Sequence, residues 1–189
     1  MAKIKYGIKN CHYAVATIAS NGSATYGTPV PLVGAVSLSL DQQGDTNKFF
    51  ADNIVFFTSV ANNGYEGDLE LAIVPDSFYT DCLGFANDAK SVMYEDANKT
   101  PAHFALTFQV ETDEGPKRVV LYNCVATRPA LNASTKEDTI EPQTETISIT
   151  ATTIYSAAKD TDVVRSSCTT SQSTQYNSWN SSIYQISST

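Results

Sequence analysis

The dominant pattern along the chain is a period of two, the spacing at which successive side chains of an extended strand point to opposite faces. Val36, Leu38 and Leu40 alternate with Ser37, Ser39 and Asp41, and Glu66, Asp68 and Glu70 alternate with Leu69, Leu71 and Ile73. Phe104, Leu106, Phe108 and Val110 alternate with Thr107, Gln109 and Glu111. Thr144, Thr146, Ser148, Thr150 and Thr152 oppose Ile147 and Ile149, which predicts a long strand with one almost purely hydroxyl face. Further strands are predicted for Tyr13–Ile18, 46–51, 54–61, Val92–Glu95 and Val119–Ala126; residues 3–9 alternate only weakly. The densest apolar run is Ile54-Val55-Phe56-Phe57. With Phe49-Phe50 it forms adjacent aromatic pairs, so at least half of these rings are expected to point into a core.

Turn chemistry divides these segments. Asp52-Asn53 predicts a turn or bulge, and Asn62-Asn63-Gly64 predicts a hairpin because Asn and Gly tolerate positive φ. Asp113-Glu114-Gly115-Pro116 predicts a second hairpin. Pro75-Asp76 opens a helix over about 75–83 with Phe78, Tyr79 and Cys82-Leu83 on one face, and Gly84 ends it. Residues 19–31 concentrate Gly, Pro, Ser, Thr and Asn and read as a long loop; Leu131–Pro142 is polar and loop-like. From about Ser166 the sequence becomes Ser/Thr-rich, then recovers bulky anchors at Tyr176, Trp179, Ile183 and Tyr184, which predicts a flexible tail tethered at its end. The fold class is mainly β, an antiparallel β-sandwich or barrel with one short α-helix, a long loop and a C-terminal arm. At 189 residues the expectation is one β-domain over 1–165 and an arm over 166–189.

Charge removes one class of function. The net charge is -8, with 12 Lys and Arg against 20 Asp and Glu and no basic cluster, so specific nucleic-acid binding is excluded. Charged residues make up only 17%, and the hydroxyl-rich surface that replaces them suits repeated protein contacts. Cys11, Cys82, Cys124 and Cys168 are scattered without C-x-x-C spacing, which predicts reduced, buried thiols. The short apolar stretch Tyr13–Ala19 is too weak for a signal core, and no stretch has the length of a membrane span. His12 and His103 stand without motif partners, and no nucleophile elbow, zinc-protease or phosphate-loop motif occurs. Glu66, Asp68 and Glu70 sit in a row on one strand face rather than around a point, so they predict a solvated face and no metal site. Neither catalysis nor a cofactor is expected.

Several blocks carry a family resemblance. Asp45-Thr46-Asn47 with Phe49-Phe50-Ala51-Asp52-Asn53, Asn63-Gly64-Tyr65-Glu66-Gly67, Ile73-Val74-Pro75-Asp76 and Leu83-Gly84 resemble the major tail proteins of long-tailed bacteriophages, in particular the phi13-like group. Leu121-Tyr122-Asn123-Cys124-Val125-Ala126-Thr127-Arg128-Pro129 and Glu141-Pro142-Gln143-Thr144-Glu145-Thr146 are similar to two more blocks of that family, in the same order.

The resemblance implies a tail-tube β-sandwich that self-assembles into stacked six-membered rings around a DNA-conducting lumen. Its implied partners are further copies of itself, a tape-measure protein, and tail terminator and tail-tip or baseplate proteins. DNA would pass without specific binding, no membrane would be involved, and the tail would be assembled in the bacterial host cytoplasm. On the strand alternation, the lumen candidates are Ser37, Ser39, Asp41, Glu66, Asp68 and Glu70. The bulky anchors in polar segments give inter-subunit candidates Tyr26, Val30, Tyr176, Trp179 and Tyr184. The alternatives are the tube protein of a contractile secretion system and a monomeric carbohydrate-binding β-sandwich. The second would require an exposed row of aromatics.

Overall fold

The computed structural model describes residues 4–135 and 143–187. Lys3, the 136–142 part of the polar loop with the Glu141-Pro142 start of the last family block, and the final two residues of the arm lie outside them. In chain order the strands are β1 (Lys5–Ile18), β2 (Ala24–Tyr26), β3 (Val30–Pro31), β4 (Ala35–Gln43), β5 (Thr46–Ala51), β6 (Ile54–Val60) and β7 (Gly64–Leu71). Helix α1 (Asp76–Cys82) follows, then β8 (Phe85–Asn87), β9 (Met93–Glu95), β10 (Phe104–Thr112), β11 (Lys117–Ala126) and β12 (Glu145–Thr152). The chain then runs through β13 (Ile154–Ser156), β14 (Thr161–Val163), β15 (Arg165–Thr169) and α2 (Ser173–Ser178).

Nine strands make one sheet in the order β2-β1-β10-β11-β12-β7-β4, with β3 added to β1 and β15 to β11; every recorded pairing is antiparallel. The alternation read from the sequence decides which side chains meet. Tyr13, Phe104, Leu106, Leu121, Ile147, Ile149, Leu69 and Leu71 are buried in one cluster, and Leu38 and Leu40 pack against it. Strands from both ends of the order therefore contribute to one core, which requires the sheet to fold over itself in a sandwich-like way. It is not a closed barrel: among the described residues β4 pairs only with β7.

Helix α1 fills this core. Phe78 is fully buried, with its ring 5.0 Å from Tyr13 and 5.4 Å from Phe104, both edge-to-face. The Tyr13 hydroxyl donates to Asp81 at 2.8 Å. Gly84, at φ 82°, takes the left-handed conformation that stops the helix. Arg128 then holds the following loop by donating to the carbonyl oxygens of Leu83, Asp96 and Lys99 and pairing with Glu95 at 3.1 Å.

The other side of β1, β10 and β11 carries a second core. Ala14, Ala105, Val120 and Tyr122 meet Ile154, Cys168, Trp179 and Ile183 from the C-terminal segment. The predicted flexible arm is thus a structured cover with a second helix, and its last strand is hydrogen-bonded to β11. Few apolar residues suffice there, because Trp179 and Ile183 are almost wholly buried and a polar network holds the rest. Arg118 donates to Gln109 and to the Tyr176 carbonyl oxygen, and its guanidinium lies 4.0 Å from the Tyr176 ring centre.

Three further expectations change. The 19–31 loop contains β2 and β3, which both pair back onto β1. Asn62-Asn63-Gly64 does not join two paired strands. Instead β4–β5 and β6–β7 form one long hairpin whose turn is Asp52-Asn53, both in left-handed conformations (φ 51° and 64°). Its strands are interrupted at Gly44–Asp45 and Ala61–Asn63, where Ala61 still donates to Asp45, and Asn63 to Gln43. At Gly44 (φ 151°) a Cβ would lie 2.0 Å from the Ala61 carbonyl oxygen, so only glycine fits. Finally, the phenylalanines of this hairpin do not enter the core, for the reason given next.

Candidate assembly surfaces

Strands β4, β7 and β12 bury one face and leave the other bare. Their register aligns the polar residues in rows across the strands: Ser37–Glu70–Thr146, Ser39–Asp68–Ser148 and Asp41–Glu66–Thr150. All six lumen candidates stand on this one surface, with Glu66, Asp68 and Glu70 on the central strand, hydroxyls along β12, and Ser37, Ser39 and a fourth acid, Asp41, along β4. The hydroxyls hold the acids in place. Ser37 and Thr144 donate to the two oxygens of Glu70 at 2.8 and 2.7 Å, and Ser148 donates to Asp68 at 2.6 Å. The bonds from Thr144 and then Ser37 favour the ionised form and hold the Glu70 carboxyl below its usual range. The result is a negatively charged, hydroxyl-rich wall with a solid core behind it. It can repel phosphates and form weak, exchangeable hydrogen bonds.

The second surface escaped sequence reading. In β5 and β6, Phe49, Phe50, Ile54, Val55, Phe56, Phe57 and Val60 are all exposed, Phe56 to 72%. Among the described residues the ribbon pairs only with itself. Cross-strand pairing puts Phe49 with Phe57 and Phe50 with Val55 on alternate faces, so both faces near the tip are apolar. Two strands alone cannot bury two faces, and an exposed patch of this kind marks a contact surface. The adjacent pairs Phe49-Phe50 and Phe56-Phe57 were the available signal, since a strand with one core face alternates.

The inter-subunit candidates take part in contacts within the subunit. Trp179 is only 2% exposed and stacks on Tyr184 with ring centres 5.5 Å apart. The Tyr26 hydroxyl donates to the Tyr122 carbonyl oxygen at 3.0 Å, and the Tyr176 hydroxyl to Gln109 at 3.2 Å. Val30 pairs with Tyr13 and packs on the first core. Burial pushes the Cys11 and Cys82 thiols up to about 12 and raises Cys124 further, leaving them protonated and unreactive near neutral pH.

A folded-over β-sheet with a bare polar wall and an apolar ribbon held in solvent has the features of a protein that meets other protein surfaces. The sequence model of one family, phage tail tube protein, matches residues 1–185. The chain belongs to that family: it is a structural protein of the bacteriophage virion tail, one that self-associates into a tube, and not an enzyme. No curated protein matches the chain.

Proposed function

We propose that six copies of the chain close into a ring, that rings stack into the tail tube, and that the outer wall of β4, β7 and β12 lines the lumen. The observation that carries this is the three aligned rows of acids and hydroxyls on a sheet whose opposite face is solid core. Among the described residues, a strand at each end of the sheet has an unpaired edge. Pairing of β4 with the β2–β3 side of the next copy would satisfy both edges and make the wall continuous. An acidic lumen repels the phosphates of passing DNA within about 10 Å at moderate salt, which favours transit over binding. A tape-measure protein would occupy the lumen during assembly in the host cytoplasm, with terminator and tail-tip proteins at the two ends.

The buried native thiols make the test direct. Ser39→Cys adds one exposed thiol to a chain whose four cysteines are buried. In free subunits it should react with a bulky polyethylene-glycol maleimide. In tubes confirmed by negative-stain microscopy it should be protected from that reagent yet still react with a small maleimide. Equal reaction with the bulky reagent in both states would place the wall outside the tube and overturn the assignment.

A further inference from the structure

We infer that the tip of the β5–β6 ribbon of one copy docks into a groove on the next copy, lined by Leu38, Leu40, Tyr65, Phe108, Leu121 and Arg165. This rests on the tail-tube reading and names the contact that would link one copy to the next. The groove lies where β4 and β7 face β10 and β11 across the first core, and its volume is about 190 Å³. Its walls are apolar and partly open: Leu38, Leu40 and Tyr65 are half-buried, and Phe108 keeps 8% exposure. At its rim the exposed Arg165 guanidinium stands 5.3 Å from the Tyr65 ring centre. The tip offers the complement. Asp52 projects from a left-handed turn between Ala51 and Ile54, with Phe50 and Val55 paired just behind it. An apolar wedge with a carboxylate at its end matches an apolar slot with a guanidinium at its mouth.

A chain cannot fill its own slot this way. Leu40 and Tyr65 stand at the foot of the ribbon, three residues or fewer from Gln43–Gly64, the last pair of the β4–β7 ladder. The six residues of β5 carry the tip on the order of 20 Å away, at about 3.3 Å per residue. The volume admits a large side chain or two rather than the whole ribbon, so the turn enters and not the strand. Tip and slot are different patches of the same surface, so their contact is heterologous. Such contacts repeat from copy to copy into rings or stacks and do not end at a dimer.

Charge exchange tests the pairing. Asp52→Arg and Arg165→Asp each set like charges against each other, and each should raise the subunit concentration needed for assembly by at least about tenfold. The double variant restores opposite charges and should return to within about threefold of the wild type. Both residues are exposed, so Arg165→Asp should leave the melting temperature of the free subunit unchanged, while Asp52→Arg should lower it slightly because the left-handed turn favours Asp. The double variant should keep that small loss and still recover assembly. Single variants that assemble like the wild type, or a double variant no better than the singles, would overturn the pairing while leaving the tube reading intact. Failure of the wild-type chain itself to assemble would instead count against the tube reading.

Discussion

The β5–β6 ribbon and the C-terminal segment exchange the roles that their compositions suggest. The ribbon holds the densest apolar run of the chain, yet Phe49, Phe50, Phe56 and Phe57 stand in solvent. The segment after Ser166 is rich in Ser and Thr, yet Cys168, Trp179 and Ile183 are core residues. What differs is the neighbour each can reach. The C-terminal segment returns along β11 and finds an apolar sheet face waiting, where a few well-placed side chains are enough. The ribbon extends past the end of the sheet, where its own chain provides no cover. Local apolar density measures how much a segment gains from burial, whereas topology decides whether the burial happens within the subunit or between subunits.

The sharpest way to break this comparison is Trp179→Ala. Truncating a buried Trp costs about 3–5 kcal/mol, so thermal unfolding of the free subunit should shift strongly downward. An unchanged melting temperature would make the segment a detachable tail after all. Next in size is Arg118→Met, which keeps the stem but removes the hydrogen bonds to Gln109 and the Tyr176 carbonyl oxygen. Hydrogen bonds to charged groups contribute about 1.5–3 kcal/mol, and amide exchange in α2 should rise with little change in β7 or β12.

Phe56→Ser should change the free subunit's stability by no more than about 0.5 kcal/mol, as at other exposed sites, while reducing binding of an apolar dye and weakening assembly. A clear loss of stability would mean the ribbon packs on its own subunit. The smallest effect concerns Glu70. Its folded pKa is lowered, so its ionised form adds stability above its ordinary value of 4.5, and that contribution is lost as the pH falls through the lower folded value. The wild type and Glu70→Gln should therefore differ in melting temperature at pH 7 and converge as the pH drops well below 4. A gap that stays constant down to pH 3 would show that the hydroxyl bonds do not depend on ionisation.

The sequence by itself determined what depends on neighbours close along the chain. The period of two placed β4, β7, β10 and β12 and sorted the faces of β7 and β12, because pleat geometry alone sets that alternation. It missed the bulge that leaves Val36 exposed and the second core that buries Thr107 and Gln109 on the polar face of β10. Pro75 and Gly84 bounded α1 to within a residue at each end, since they act through their own backbone angles. The six polar candidates share one surface because they alternate with core residues whichever strands become neighbours. Their arrangement in rows of three, with acids in the middle, came only from the pairing of β7 between β4 and β12. Tertiary structure alone also decided that Asp52-Asn53 rather than Asn63-Gly64 turns the long hairpin. Both dipeptides allow the required backbone, and the pairing of β4 with β7 and of β5 with β6 is what puts the turn at Asp52-Asn53. It likewise decided that Trp179 lies within the subunit and Phe56 outside it. Burial is settled by which surfaces meet, and two residues far apart in sequence carry no local signal of whether they will.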